Sequence, residues 1–175
     1  MPAQTILLYP DPRLKEISAP VTAVTAEIRS IVRNLLDTMK AHPGSVGIAA
    51  PQIGELKRII VVDVSGHKRA GNHHGLLILL NPVIRERDGE QIGREGCLSI
   101  PDYTARIRRA ARIRVEAYDF SFSSICIDAS GFEAVALQHE IDHLNGVLFL
   151  DRVASLKLDL FPRKNYLPQL ARPKE

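Results

Sequence analysis

Apolar residues first recur at helical spacing between residues 25 and 41. Counted from Ile28, they occupy positions i, i+3, i+4, i+7, i+8 and i+11, namely Ile28, Ile31, Val32, Leu35, Leu36 and Met39. This spacing predicts an amphipathic helix over 25–40 that packs its apolar stripe on the core. Thr25 is suited to be its N-cap, and the sequence HPGS at 42–45 ends it.

Short aliphatic and β-branched runs follow the helix and predict strands. They are RIIVVDVS (58–65) and LLILLNPVI (76–84), separated by the Gly-, His- and Asn-rich turn GHKRAGNHHG (66–75). Pro82 lacks a backbone donor, which indicates that the second run lies at a sheet edge or ends there. The preceding stretch VGIAAPQIG (46–54) is typical of a loop of small residues.

Residues 105–118 alternate between two kinds of side chain. The odd positions are mostly apolar, whereas the even positions include Arg106, Arg108, Arg112 and Arg114. This alternation predicts strand with one buried and one solvated face. Because no aromatic residues interleave the arginines, we expect no sequence-specific recognition of nucleic acid. The alternative is a basic ridge that docks on nucleic acid or a ribonucleoprotein.

The composition is that of one globular domain. The chain has 175 residues, of which 45% are hydrophobic and 25% charged, with a formal net charge of +3. This length suffices for one well-buried core, so we expect a single domain with a peripheral tail after about residue 155. The sequence contains no apolar run of membrane-spanning length and no signal-peptide pattern, so we expect a cytoplasmic protein that does not enter a membrane.

A second helix is predicted to begin at Gly131 and to carry the sequence QHEIDH at 138–143. His139, Glu140 and His143 continue its core-facing stripe. Burying two imidazoles and a carboxylate without partners would cost several kcal/mol, so this pattern favours a metal. H-E-x-x-H is the helical signature of a metal site that activates water.

A hydrolytic metal needs three protein ligands, and the two imidazoles supply only two of them. Phe149 stands where one large family of zinc peptidases has a third histidine, and no later acid lies in a convincing helical context. Cys126, in the apolar run SSICID, is expected to be a small buried strand residue. Cys97 follows Gly96 in the turn-prone stretch EGCLSIP, where the backbone can approach a ligand closely. We therefore assign Cys97 as the third ligand.

Three blocks together resemble the signature of the peptide deformylases: VGIAAPQ (46–52), EGCLS (95–99) and QHEIDH (138–143). The opening ILLYPDPRLKEISAPV and the helix after it also resemble that family, so the resemblance runs from about Ile6 to about Asp151. It implies an α+β fold of mostly antiparallel strands wrapped around the H-E-x-x-H helix. The helix predicted at 25–40 is then expected to pack on the outside of these strands.

The resemblance implies removal of the formyl group from the N-terminal formyl-methionine of newly made bacterial or organellar proteins. One divalent metal, iron(II) in the cell with zinc, nickel or cobalt as substitutes, is then held by Cys97, His139 and His143. Glu140 is implied as the general base. The Gln52 side-chain amide and the Leu98 backbone N–H are implied as donors to the oxyanion.

Substrate contacts are expected along the first block and the second helix. Gly47 is expected to tolerate no side chain, because the loop backbone would approach an extended peptide. Together with Val46, the stripe residues one to two turns before His139 are expected to line the methionine pocket: Phe132, Val135 and Ala136. Glu95 is expected either to hydrogen-bond a metal ligand or a substrate amide, or to be a solvated turn residue.

Two positions depart from the family pattern. Ser45 stands where the family usually has glycine, and Thr104 where some bacterial members have an arginine that contacts substrate. Both departures bear on peptide affinity more than on the chemical step. The alternatives are an endopeptidase that uses the same water activation and a catalytically silent relative that binds ribosomes or nascent chains.

Overall fold

The computed structural model describes residues 3–163. Its helices and strands are, in order, α1 (Ala26–Ala41), β1 (Gly47–Ala49), β2 (Ile59–Val62), β3 (Leu77–Asp88), β4 (Gln91–Cys97), β5 (Ile100–Arg109), β6 (Arg112–Tyr118), β7 (Ser124–Ser130), α2 (Gly131–Leu144), α3 (Leu156–Asp159) and β8 (Leu160–Pro162). Single 3-10 turns lie at Pro12–Lys15, Ala50–Ile53 and Phe149–Arg152.

The strands form two sheets. One has the order β1-β2-β3-β6-β7 and the other the order β4-β5-β8, and all neighbours within them pair antiparallel. α2 packs on β1, β2 and β7, and every residue from Glu133 to Leu144 is buried. The predicted α+β fold, with antiparallel strands around the helix that bears the H-E-x-x-H motif, is confirmed.

The two long helices contact opposite faces of the five-stranded sheet. The stripe of α1 packs on a face that includes Ile59 and Val61 of β2, whereas α2 packs on the face that includes Ile60 and Val62. Such alternation follows from the two-residue period of a strand. Thr25 caps α1 as predicted, because its side-chain oxygen accepts a hydrogen bond from the Ile28 N–H at 3.3 Å.

The expectation that Pro82 ends a strand is wrong, because β3 continues through it to Asp88. β3 is the middle strand of the larger sheet, but its pairing with β2 ends at Leu80, and beyond Pro82 the register continues against β6. The register against β6 shifts between Leu80 and Val83, and this irregularity accommodates a residue without an N–H. Asn81 adopts a φ of 51° there, and its side chain bonds to both the N–H and the carbonyl of Val21.

The alternating stretch 105–118 belongs to two strands in different sheets, β5 and β6. Its predicted solvated face is confirmed at Arg106, Arg108 and Arg112, which are exposed. Its buried face contains an exception, since Arg109 at an odd position is charged and only 5% exposed.

Two smaller expectations are also wrong. Cys126 is exposed, because the alternation of β7 turns its neighbours Ile127 and Ala129 into the core instead. The stretch 46–54 is not simply a loop: it contains β1 and a 3-10 turn at Ala50–Ile53.

The tail begins with one helical turn, α3, and then pairs as β8 with β5. The rest of the tail, from residue 164 on, lies outside the described residues. Within residues 3–163, the helices lack the length and apolar character needed to cross a bilayer.

Candidate metal centre

α2 presents two histidines on one face. His139 and His143 are one helical turn apart, and their ring centroids are separated by 5.1 Å. Both rings are buried. The interior position places the two imidazoles away from bulk water, as the stripe in the sequence predicts.

β4 supplies the third candidate ligand at its last residue, Cys97. The register of β4 against β5 shifts between Gly96 and Cys97, and Cys97 Sγ lies 3.2 Å from His143 Nε2. The ligand atoms of Cys97, His139 and His143 all lie within 4.8 Å of one another. The three side chains predicted from the sequence as ligands therefore lie together in the structure.

These donors fit a resident divalent metal. One sulfur and two imidazole nitrogens suit zinc and the later first-row metals, and three protein ligands leave a position open for chemistry. Burial raises the pKa of the Cys97 thiol, but neighbouring His143 and His139 outweigh burial and hold it well below its usual value. The thiolate is the form that binds metals.

Glu95 on β4 orients the imidazole of His139. Its Oε2 accepts a hydrogen bond from His139 Nδ1 at 2.9 Å, which leaves Nε2 of the ring for a metal. Arg109 donates to both Glu95 oxygens, at 2.8 and 2.9 Å. Burial raises the pKa of Glu95, but these hydrogen bonds outweigh it and lower the pKa to about 2. Glu95 is thus a buried partner of a candidate ligand and not a solvated turn residue.

Arg109 extends this network to α2. Its Nη1 donates to Asp142 Oδ2 at 2.5 Å, and Asp142 also binds the guanidinium of Arg152. Neither Arg109 nor Asp142 was predicted from the sequence as part of the site. The sequence does contain one indication of this network: Arg109 is a charged residue at an odd position of the alternating stretch 105–118, and the odd positions face inward.

Glu140 lies beside the three ligand candidates, 5% exposed. Burial raises the pKa of Glu140 to about 7, close to the pH at which a general base must both accept and return a proton. Its Oε2 has no hydrogen-bond partner among residues 3–163, whereas Oε1 packs against the backbone of Gly47. A buried carboxylate oxygen of this kind is suited to contact a reacting water.

Gly47→Ala is expected to lower kcat/KM about 10- to 100-fold, because a misplacement of about 1 Å at a reacting group costs that much. An added Cβ would lie 2.5 Å from Glu140 Oε1 and must displace the carboxylate. Gly66→Ala is the matched control, since no atom of the described residues lies within 4 Å of its Cβ position. Steady-state kinetics of the two metal-loaded variants check this, and equal activity would contradict it.

Gln52 directs its amide at the cysteine. Its Oε1 accepts a hydrogen bond from the Ala49 N–H at 2.9 Å, which fixes the amide orientation. The Nε2 then points to Cys97 Sγ at 3.4 Å and to Ser99 Oγ at 3.2 Å. Ser99, fully buried, was not predicted as part of the site. Leu98 follows Cys97 directly in the chain, and the role of its N–H stays a prediction.

The residues expected to form the methionine pocket are at least partly buried. Val46, Phe132 and Ala136 belong to the cluster beneath α2, and Val135 is 3% exposed. Their contact with a substrate stays a prediction.

The two departures from the family pattern each have a local partner. Ser45 Oγ donates to the Gly47 carbonyl at 3.0 Å. Thr104 Oγ1 accepts from Arg94 Nε at 2.7 Å. Both hydroxyls are therefore satisfied within the protein.

Comparison with known proteins agrees with this geometry. The family model described as polypeptide deformylase matches residues 3–159. A peptide deformylase of Thermodesulfovibrio yellowstonii is 41% identical, covering 89% of this chain and 92% of the relative. Crystal structures of the peptide deformylases of Legionella pneumophila and, in complex with actinonin, of Synechococcus elongatus both give a TM-score of 0.80. The first is 37% identical and covers 89% of this chain and 88% of that one, and the second is 34% identical and covers 89% and 81%. Since the match extends over nearly all described residues in both sequence and fold, the chain belongs to the polypeptide deformylase family.

Proposed function

We propose that this chain is a metal-dependent hydrolase that removes the N-formyl group from the N-terminal formyl-methionine of newly synthesised proteins and releases formate. Deformylation of nascent peptides is the function of the family to which the chain belongs. The observation that carries the proposal is the convergence of Cys97, His139 and His143, with ligand atoms within 4.8 Å of one another, beside the buried carboxylate of Glu140.

The proposed mechanism assigns the proton transfers to Glu140. Cys97, His139 and His143 would hold a divalent metal, which would serve as a Lewis acid toward the attacking water and the formyl oxygen. Glu140 accepts the proton of the water that attacks the formyl carbon. It then returns that proton to the leaving nitrogen as the C–N bond breaks. The products are the free amine and formic acid, which loses its proton to solvent and leaves as formate.

The negative charge that develops on the formyl oxygen needs donors already in place. We assign this task to the Gln52 amide and the Leu98 backbone N–H. The bond from the Ala49 N–H to Gln52 Oε1 supports the assignment, because it leaves the amide N–H groups on the side of the metal centre. Donors fixed in this way need no reorganisation during the reaction.

The metal in the cell is proposed to be iron(II), one per chain, with zinc, nickel or cobalt as substitutes. One thiolate and two imidazoles are compatible with all four metals. A thiolate bound beside iron(II) is sensitive to oxidation, so the enzyme should be prepared without oxygen.

The peptide is proposed to lie in extended form along Gly47, with its methionine side chain in a pocket beside the metal centre. Val46 and the stripe residues of α2 are proposed to line that pocket: Phe132, Val135 and Ala136. Because side chains three and four residues apart share a helix face, Val135 and Ala136 lie on the same face as His139.

We propose that the enzyme is cytoplasmic and that it contacts ribosomes only transiently. The ridge of arginines on β5 and β6 is largely neutralised: Arg108 pairs with Glu90 at 2.7 Å, and Arg114 pairs with Glu86 and Asp128. Guanidinium groups already paired with carboxylates attract phosphate weakly, so we propose no sequence-specific binding of nucleic acid.

The direct test is formate release from a formyl-methionyl tripeptide by protein loaded anaerobically with iron(II) or reconstituted with nickel. We expect formate and free tripeptide in equal amounts, without cleavage of internal bonds. Inhibition by actinonin, the compound in the Synechococcus elongatus complex, is the second expected result. Cleavage of internal bonds would favour the endopeptidase. Bound metal without formate release would favour the catalytically silent relative.

Cys97→Ser is expected to weaken metal binding at least about 100-fold, since a hydroxyl is a far poorer ligand than a thiolate for these metals. Cys126→Ser is the matched control, because Cys126 is exposed and outside the metal cluster. Competition with a chromophoric chelator measures both affinities. Equal metal affinity of the two variants would show that Cys97 is not a ligand.

A further inference from the structure

A loop between β2 and β3, residues 67–74, lies against the start of α2. Its last residue, His74, binds Glu133 twice: the backbone N–H donates to Oε1 and the ring Nδ1 to Oε2, both at 2.8 Å. Glu133 is 1% exposed. This pair therefore ties the 67–74 loop to the helix at a buried point.

The same loop covers Phe132, the second residue of α2. The His67 ring stacks on the Phe132 ring with centroids 4.3 Å apart. The Arg69 guanidinium carbon lies 4.5 Å from the Phe132 centroid, which is within the range of a cation–π contact. Burial and the nearby charges of Arg69 and Lys68 lower the pKa of His67. The imidazole therefore stays neutral at neutral pH and does not repel the guanidinium.

Arg69 also reaches β4. Its Nη1 donates to the Arg94 carbonyl at 3.4 Å. A Cβ on Gly93 would lie 3.0 Å from Arg69 Nη2, so the missing side chain gives the guanidinium its space. The 67–74 loop thus joins α2 and β4, which are the elements that carry His139 and Cys97.

Resting on the function proposed above, we propose that Arg69 is a specificity-determining residue: held between Phe132 and Gly93, it closes the far end of the pocket for the first side chain of the formylated peptide. Phe132 lies two helical turns before His139 on the same face. That separation is roughly 10 Å along the helix. A side chain anchored at the metal centre and directed along α2 points toward this end.

The chemistry of the closure favours a long unbranched side chain over an aromatic ring. A thioether is flexible, polarizable and a weak acceptor, so it can end beside guanidinium N–H groups. A second aromatic ring would have to displace the guanidinium from Phe132. Lysine is expected to replace Arg69 only in part, because an ammonium group does not lie flat on a ring and contact a carbonyl at the same time.

The test compares kcat and KM for formyl-Met and formyl-Phe tripeptides in wild type, Arg69→Ala, Arg69→Lys and Lys68→Ala, all nickel-loaded. Arg69→Ala is expected to lower the ratio of kcat/KM for formyl-Met to kcat/KM for formyl-Phe at least about tenfold. Tenfold is the low end of the discrimination that one methylene group gives in a hydrophobic pocket. The change should come from KM: a rise for formyl-Met and a fall for formyl-Phe. The kcat for formyl-Met should persist, since Arg69 does not touch the reacting atoms.

Arg69→Lys is expected to give an intermediate ratio. Lys68→Ala, at an exposed neighbour on the same loop, is expected to keep the wild-type ratio. If Arg69→Ala is active and keeps the wild-type ratio of kcat/KM values, the role of Arg69 is overturned while the proposed function stands. If Arg69→Ala does not fold, Arg69→Lys is used instead, and a wild-type ratio in that variant overturns the role of Arg69. No formate release by the wild type would overturn the proposed function, and this inference with it.

Discussion

Replacing Glu140 by glutamine is expected to lower kcat about 10³- to 10⁴-fold while the protein keeps its metal and its fold, since a positioned general base contributes up to that range. Glutamine has nearly the same shape but cannot accept the proton of the attacking water. The fold should persist because, within residues 3–163, the Oε2 of Glu140 makes no hydrogen bond that glutamine would break. Formate release and metal content are to be measured on the same samples.

The interpretation of this variant depends on the metal measurement. Low activity with full metal content would identify Glu140 as a group that acts in the chemical step. Low activity with lost metal would instead mean that Glu140 supports the centre structurally. A glutamine variant as active as the wild type would contradict the mechanism, because no other carboxylate of the site is free: both Glu95 oxygens are bound by Arg109 and His139.

Arg109→Met is expected to lower the free energy of unfolding by about 3–5 kcal/mol, the usual cost of removing one partner of a buried ion pair. Arg109 is 5% exposed and binds the carboxylates of both Glu95 and Asp142. Methionine fills a similar volume but leaves both negative charges buried without their common partner. Urea denaturation of the metal-free protein measures the loss.

Arg108→Met is the matched control for that measurement. Arg108 is the preceding residue on β5. Its side chain is 65% exposed and, within residues 3–163, pairs with the exposed Glu90 alone. Its replacement should change the free energy of unfolding by less than about 0.5 kcal/mol, as for most surface positions. Equal losses in the two variants would contradict a special role of the buried network.

The parts of the site that local patterns encode were predicted from the sequence. Helical spacing alone puts His139 and His143 on one face of α2 with Glu140 beside them. The turn-prone context of Cys97 favoured it over Cys126 as the third ligand, and in the structure Cys97 lies beside the two histidines. The N-cap at Thr25 and the end of α1 are equally local features.

The missed parts depend on contacts between residues that are distant in the chain. Arg109 meets Asp142 only after β5 and α2 pack together, and no local pattern encodes that meeting. The register shift that lets β3 continue through Pro82 depends on the pairing of β3 with β6. The 67–74 loop looked like an ordinary turn, and its contacts with Phe132 and Gly93 depend on the same tertiary packing.

One metal, held by Cys97, His139 and His143, is proposed to make this chain a deformylase. The most direct test is to titrate metal-stripped protein anaerobically with nickel or iron(II) while following formate release from a formyl-methionyl tripeptide. We predict that activity is absent without metal, rises in proportion to bound metal and reaches its plateau at one metal per chain. Formate release that is independent of metal, or a fully loaded protein that releases none, would contradict the account.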